Sequence, residues 1–109
     1  MAYDIEENIK GAAASIDDLN GLYQGKAVTT YGKVINICDS GNTLQFTLVD
    51  LKSKSTLNCE ISKDFIEENP ERREVLMDSE KSESGVYVNG IYQLGLMNRK
   101  IDVRKVFVP

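Results

Sequence analysis

A run of twelve residues, 26–37, reads KAVTTYGKVINI and is rich in β-branched side chains. Fully extended at about 3.3 Å per residue it would span roughly 40 Å, which is too long for one edge of a small flat sheet. Gly32 lies near its middle, where a missing side chain lets a strand coil sharply or bulge. The run therefore predicts one long strand, bent at Gly32, whose two halves pair with different neighbours.

Two more strand patterns follow. Residues 39–42 read as a polar turn in which glycine and asparagine can take positive φ, and residues 44–48 then alternate apolar with polar. A second polar turn, residues 52–55, precedes another alternating segment at 56–61, so the three strands form a predicted meander. The apolar side chains of both segments share one face and are predicted to be core: Leu44, Phe46, Leu48, Leu57, Cys59 and Ile61.

The chain then changes period and returns to strand. Residues 63–78 predict one helix, which Pro70 interrupts or restarts, with Val75, Leu76 and Met77 pointing inward. Residues 79–84 are polar and predict a flexible connection. Residues 85–93 and 100–108 predict the fourth and fifth strands, the last with core positions at Ile101, Val103 and Val106.

The amino-terminal part has a helical pattern of its own. Residues 3–14 carry Ile5, Ile9 and three alanines at roughly helical spacing, which predicts a short amphipathic helix. Ser15 then reads as the cap of a single turn, after which Ile16, Leu19 and Leu22 are expected to plug one end of the core. We expect residues 1–15 to form an N-terminal helical extension and residues 16–109 to form one domain.

Composition limits the classes of function. The chain has no histidine, and Cys38 and Cys59 are far apart in sequence, which argues against a zinc site and predicts two small buried apolar side chains. Phosphate-binding glycine loops, dinucleotide fingerprints and nucleophile elbows are absent from the sequence, so we expect no catalysis and no cofactor. The acidic amino terminus and the short apolar runs predict a cytoplasmic protein without a membrane partner.

Charge is distributed unevenly along the chain. The net charge is −4, yet residues 26–63 carry +2 and residues 85–109 carry +3. Residues 1–25 and 64–84, where helices are predicted, carry −4 and −5. The predicted sheet is therefore basic and the predicted helices are acidic, which keeps a polyanionic partner open despite the negative total.

The five predicted strands occur in the order β-β-β-α-β-β. The segments GKAVTTYGKVINI, GNTLQFTLVD, STLNCEI, GVYVNGIYQ and IDVRKV resemble the OB-fold nucleic-acid-binding domains of the replication protein A and anticodon-binding-like superfamily, particularly the archaeal type. The resemblance covers about residues 16–107. It implies an all-β fold with one inserted helix, a five-stranded OB-fold Greek-key barrel, to which the predicted N-terminal helix is added.

The resemblance also implies where a ligand would bind. The site would be the outer side of the second and third strands, between the loops at 39–42 and 94–100. The polar candidates on it are Gln45, Thr47, Thr56, Asn58 and Asn98. Cations that would meet phosphates are Lys33, Arg99, Lys100 and Arg104, although each would also suit an ordinary solvated surface. Tyrosines that would stack on bases, or instead lie in the core or at its rim, are Tyr31, Tyr87 and Tyr92.

Two classes of function stay open. The first is a single-stranded nucleic-acid-binding module of low sequence specificity, with DNA favoured over RNA. The second is an OB-fold protein-interaction or structural module in a larger replication, repair or RNA-processing assembly. The amides and hydroxyls on the second and third strands stand where stacking aromatics would be expected of a strong single-strand binder, which keeps the second class open. Expected partners are single-stranded DNA or RNA, other domains of a longer parent chain, or replication proteins.

Overall fold

The computed structural model describes residues 12–95 and 98–108. Within that part of the chain, the strands are β1 (Ala12–Ala13), β2 (Ala27–Ser40), β3 (Thr43–Val49), β4 (Thr56–Ser62), β5 (Val86–Leu94) and β6 (Arg99–Phe107). The helices are α1 (Lys63–Glu68) and α2 (Glu71–Lys81). Two single-turn 3-10 helices, Ile16–Asp18 and Gly21–Tyr23, precede β2.

Five of the strands close into a barrel. β2, β3, β4, β6 and β5 follow one another around the ring, and β5 pairs again with β2. β4 and β6 run parallel, whereas the other pairs in the ring are antiparallel. β1 lies outside the ring and pairs in parallel with β2. The predicted five-stranded Greek-key barrel, with its helical segment between the third and fourth barrel strands (β4 and β5), is confirmed.

The bend in β2 lies at Gly32. The strand pairs with β5 over residues 27–32 and with β3 over residues 33–40. A Cβ atom at Gly32 would lie 2.6 Å from the carbonyl oxygen of Val49 and 2.9 Å from Cγ of Leu48. Only glycine therefore allows β3 to approach β2 this closely. The prediction that one strand serves two neighbours is confirmed, and the strand continues past residue 37 to Ser40.

One apolar core fills the barrel. The 3-10 turn at Ile16–Asp18 adds Ile16 and Leu19 to that core, as predicted. Leu22 was expected beside them but is 77% exposed, because the following turn carries it to the surface. The core positions predicted from strand alternation are all at most 3% exposed: Leu44, Phe46, Leu48, Leu57, Cys59, Ile61, Ile101, Val103 and Val106.

Pro70 divides the predicted single helix into two. α1 ends before it and α2 begins directly after it, because proline lacks an N–H but fits the start of a helix. Val75 and Leu76 are buried as predicted, whereas Met77 is 40% exposed. The prediction for Met77 was wrong because three consecutive residues of a helix cannot all face one side.

The end of α2 also differs from the prediction. The helix continues to Lys81, so the first residues of the segment 79–84 are helical rather than a flexible connection. Ser79 is 2% exposed. Its hydroxyl accepts a hydrogen bond from the Val34 N–H at 3.1 Å and donates one to the Ser84 carbonyl at 2.7 Å. A residue that reads as a loop former in the sequence therefore fastens the helix to β2.

The predicted N-terminal helix is wrong at its carboxyl end. Ala12–Ala13 form β1 and pair with Val28 and Thr29. The Ala14 N–H continues this pattern by donating to the Thr29 carbonyl at 3.0 Å. Ladder bonds to β2 outweigh the helical preference of alanine here. The rest of that helix, up to residue 11, lies outside the described residues, and the boundary between extension and domain stays a prediction.

The two cysteines have different surroundings. Cys59 is buried, as predicted, whereas Cys38 is exposed. The prediction that Cys38 is buried was wrong: it follows an irregularity in β2, where Asn36 takes a φ of 56° and the pairing with β3 shifts register. Over residues 12–95 and 98–108, no cluster of three acidic or cysteine side chains could hold a metal ion. The helices in the same ranges are too short and too polar for any of them to cross a membrane.

Candidate nucleic-acid interface

An open groove of about 430 Å³ crosses the outer side of β3 and β4. Strand register builds it, because Thr47, Asn58 and Lys100 are direct neighbours across β3, β4 and β6. The polar side chains that line this groove are Asn36, Gln45, Thr47, Asn58, Glu60, Asn98 and Lys100. Its sides are the end of β2 and the start of β6. Asn98 and Lys100 come from the predicted loop 94–100, whereas no residue of the predicted loop 39–42 lines the groove.

Five of the predicted site residues meet in this groove: Gln45, Thr47, Asn58, Asn98 and Lys100. Five lining residues among those described were not predicted for the site, and two of them, Phe46 and Cys59, are core positions that form its base. Glu60 has the same outward parity as Asn58 on β4, and that signal was available in the sequence. Asn36 and Cys38 enter the groove because of the irregularity in β2, and only the tolerance of asparagine for positive φ hinted at it.

Most polar groups in the groove are uncommitted. The amides of Asn36, Asn58 and Asn98 are exposed. Within residues 12–95 and 98–108, these three amides and the hydroxyl of Thr47 make no side-chain hydrogen bond. Each amide offers two donor hydrogens and one acceptor oxygen, and the hydroxyl can do either. The floor of the groove is therefore a set of neutral donors and acceptors that a ligand could use.

The charged groups in the groove are, by contrast, paired with each other. Glu60 Oε1 lies 3.5 Å from Lys100 Nζ. The second carboxylate oxygen of Glu60 accepts a hydrogen bond from Gln45 Nε2 at 3.1 Å. Glu60 thus holds the lysine on one side and orients an amide on the other. Lys100, the only cation among the described residues that line the groove, already has a carboxylate beside it.

A second ion-pair cluster lies where the β2–β3 hairpin meets the helices. Asp39 Oδ1 is 3.2 Å from Lys63 Nζ and 3.6 Å from the Arg73 guanidinium. The hydrogen bond from Lys63, assisted by the charges of Lys63 and Arg73, lowers the pKa of the Asp39 carboxyl below its ordinary value. The Lys63 N–H also donates to the Asn42 carbonyl at 2.8 Å, so this hairpin is tied to the start of α1.

Arg99 and Lys33 have structural contacts in place of an open surface. The Arg99 guanidinium donates to the carbonyls of Ile16 at 2.8 Å and Leu19 at 3.2 Å, and this clamps the first 3-10 turn to the barrel. It also reaches the carbonyl of Thr56, at 3.4 Å. Lys33 Nζ donates to two carbonyls at the end of α2, both at 3.0 Å. Neither lines the groove.

Arg104 lies beyond the groove. Its guanidinium is 3.6 Å from Asp102 and 5.3 Å from the ring centroid of Phe65, which it covers. Thr56 is exposed at the start of β4 but does not line the groove either. The predicted cationic set is therefore dispersed: of Lys33, Arg99, Lys100 and Arg104, the groove contains Lys100.

The tyrosines predicted to stack on bases are elsewhere. Tyr92 is completely buried in the barrel, so it has no exposed face for a base, and the prediction for it was wrong. Tyr31 and Tyr87 form an aromatic ladder with Phe107, with ring centroids 4.8 Å and 5.3 Å apart. The ladder lies on β2, β5 and β6, across the ring from β3 and β4. The tyrosine rings contact each other rather than the groove.

No protein-family model matches the sequence, and no curated protein does. Solved structures match the whole fold. An OBody bound to hen egg-white lysozyme has 14% identity and a TM-score of 0.63, with 87% of this chain and 88% of that one covered. The asparaginyl-tRNA synthetase of Pyrococcus horikoshii, complexed with asparaginyl-adenylate, has 20% identity and a TM-score of 0.64 over 87% of this chain. The chain has an OB-fold.

Other matches agree with that assignment. The Stn1–Ten1 complex of S. pombe has 12% identity and a TM-score of 0.55, with 73% of this chain and 55% of that one covered. The chain covers 21% of the synthetase, so it corresponds to one part of that enzyme. In this OB-fold the groove crosses the second and third barrel strands, which is where the fold class carries its ligand face.

Proposed function

We propose that the groove binds single-stranded nucleic acid, DNA in preference to RNA, weakly and with little sequence preference. The observation that carries the proposal is the set of groove side chains that make no side-chain hydrogen bond among the described residues, the amides of Asn36, Asn58 and Asn98 and the hydroxyl of Thr47, with Lys100 beside them. Asparagine amides donate and accept at once, so they can pair with the edges of different bases. Lys100 would supply a phosphate contact. The proposed module performs no catalysis.

None of the described residues that line the groove offers an open aromatic ring, and this supports weak binding. Stacking on an aromatic side chain contributes roughly 1–3 kcal/mol per base in single-strand binders. The lining of this groove includes one aromatic residue, Phe46, and its ring is 3% exposed. Affinity would then depend on hydrogen bonds and on a single cation. A groove of about 430 Å³ would enclose only a short stretch of a strand.

A protein ligand is the second candidate, because the cations of this region are matched by carboxylates. Lys100 faces Glu60, and Lys63 and Arg73 face Asp39. A surface with balanced charges and many amides suits a polypeptide as well as a polyanion. The likeness to an OBody whose bound partner is lysozyme agrees with a protein ligand. A replication protein A type of relationship, an archaeal type, a role in a replication assembly and a cytoplasmic location stay predictions.

Titration of fluorescent oligodeoxythymidylate and oligouridylate over a range of salt tests the proposal. Lys100→Ala should weaken binding and reduce the slope of log K against log salt by at most about 0.7, the value for one full phosphate contact on a single strand. Asn58→Ala should weaken binding without changing that slope, since a neutral amide releases no counterion. The matched control is Lys81→Ala, which removes the same charge from the exposed end of α2.

Two results would refute the nucleic-acid proposal. One is the absence of any binding to either oligonucleotide at low salt. The other is an equal loss from Lys81→Ala and Lys100→Ala, which would show that binding depends on overall charge and not on the groove. In either case the protein-ligand candidate replaces it, with Asn58→Ala as the variant to carry into a search for that partner.

A further inference from the structure

Glu60 occupies the position that a phosphate would need at Lys100. Its carboxylate lies 3.5 Å from the Lys100 ammonium, which is the only cation that the described part of the chain contributes to the groove. Carboxylates and phosphates bind ammonium groups through the same charge-assisted hydrogen bonds, so the two compete for one partner. In the structure the Glu60 carboxylate holds that place.

The fold keeps Glu60 there. β4 is paired along both edges, with β3 on one side and β6 on the other, so the backbone at Glu60 is fixed. Gln45, its direct neighbour across the β3–β4 pair, donates to the second carboxylate oxygen at 3.1 Å. The Glu60 side chain is 28% exposed, against 44% for Lys100. The carboxylate would lose two partners by turning away, so a ligand has to displace the lysine from it.

We propose that Glu60 is a specificity-determining residue, which suppresses contact with the phosphate backbone and leaves the neutral amides of the groove as the main recognition elements. The inference rests on the proposed nucleic-acid function and specifies its chemistry. An approaching phosphate is repelled by Glu60 and must share Lys100 with it, whereas a base edge meets Asn36, Asn58 and Asn98 without an electrostatic penalty. Nucleic acid would then be held by its unpaired bases, and a duplex, whose base edges are already paired, would bind less well.

The decisive variant is Glu60→Gln, which keeps the size of the side chain and one oxygen that can accept from Gln45, and removes the charge. It frees Lys100 for phosphate. We expect affinity for oligodeoxythymidylate at low salt to rise by about twofold to fivefold, the equivalent of one exposed ion pair. The slope of log K against log salt should become steeper, because the phosphate contact of Lys100, which Glu60 weakens in the wild type, then approaches the value of about 0.7 for one full contact.

Two controls separate this effect from a change in net charge. Glu83→Gln makes the same charge change in the segment between α2 and β5. The neighbours of Glu83 in the chain, Ser82 and Ser84, line a small depression with Val108, away from the groove. This variant should leave affinity and slope within about twofold and about 0.2 of the wild type. The double variant Glu60→Gln with Lys100→Ala should bind like Lys100→Ala alone, since the gain depends on the lysine. Thermal unfolding of every variant verifies that the fold is intact.

The outcomes distinguish a failure of the proposed role of Glu60 from a failure of the proposed function. If the wild type binds and Glu60→Gln binds no better, with an unchanged slope, the role of Glu60 is refuted and the proposed function stands. A gain that persists in the double variant also refutes it, because the effect would not act through Lys100. If Glu60→Gln binds and the wild type barely does, both proposals are supported. If neither protein binds any oligonucleotide at low salt, both are refuted.

Discussion

The two outer faces of the barrel differ in what their side chains contact. On β2, β5 and β6, the aromatic ladder of Tyr31, Tyr87 and Phe107 is packed ring against ring. In the groove that crosses β3 and β4, the amides of Asn36, Asn58 and Asn98 make no side-chain hydrogen bond among the described residues. The face with the residues typical of base stacking is occupied by its own contacts, and the face with ordinary polar residues is open. Residue type therefore says less about function here than whether a side chain is already engaged.

Both outer faces depend on β2, because that strand contributes residues to each of them. Gly32→Val should lower the free energy of unfolding by about 3 kcal/mol or more, since its side chain would overlap the backbone of Val49 and force β3 away from β2. Both faces would be disturbed together. Chemical denaturation measures the loss. A Cβ at Gly21 would meet only a Leu94 side-chain atom at 3.8 Å, so Gly21→Val should cost less than about 1 kcal/mol. Equal costs at the two sites would contradict the bent-strand interpretation.

The aromatic ladder and the groove should separate stability from binding. Tyr87 stacks on Phe107 at an interplanar angle of 12° and is tilted against Tyr31. Tyr87→Ala should lower the free energy of unfolding by about 2 kcal/mol, because half-buried ring contacts on two sides are lost. Its affinity for oligonucleotides should stay within about twofold of the wild type. Asn58→Ala, its counterpart in the groove, should change stability by less than about 0.5 kcal/mol and weaken binding.

The division between a structural ladder and a binding groove would be contradicted if Tyr87→Ala stayed folded and lost oligonucleotide affinity with an unchanged salt slope. That signature belongs to a lost base-stacking contact. It would make the ladder part of the binding surface, as the sequence suggested, and would leave the groove as the secondary site.

The fold was predictable from the sequence because its signals are local. Alternation identified the core positions of β3 and β4, and a glycine within a long β-branched run identified the bend. Alternation along β5 also predicts that Tyr92 is buried, because it lies in the same register as the buried Val86 and Val88. The sequence interpretation gave more weight to its aromatic character than to its position, and that is why the assignment failed.

The partners of the cations were not predictable in this way. Arg99 binds carbonyls more than 70 positions earlier in the chain, and Lys33 binds carbonyls 46 and 47 positions later. Only the closed barrel brings those groups together, so no local pattern signals the contacts. The ion pair between Glu60 and Lys100 likewise depends on the parallel pairing of β4 with β6, which joins distant segments.

The smallest expected effect is the response of the Asp39 ion pairs to acid. The pKa of Asp39 lies below its ordinary value of 3.8, first because Lys63 donates a hydrogen bond to the carboxylate and then because Lys63 and Arg73 are positively charged. Near pH 3.8 the unfolded chain therefore binds a proton more readily than the folded protein does. The contribution of this ion pair to stability is complete above pH 3.8 and is lost as the pH falls through the lower folded value.

Lys63→Gln should raise the pKa of Asp39 toward 3.8, measured by carboxyl NMR, and should make the acid loss of stability shallower. Lys81→Gln, which removes a distant cation, should do neither. The ring contacts of the opposite face should be insensitive to pH in the same range. Unchanged titration of Asp39 in Lys63→Gln would show that this ion pair does not hold the hairpin to the helices.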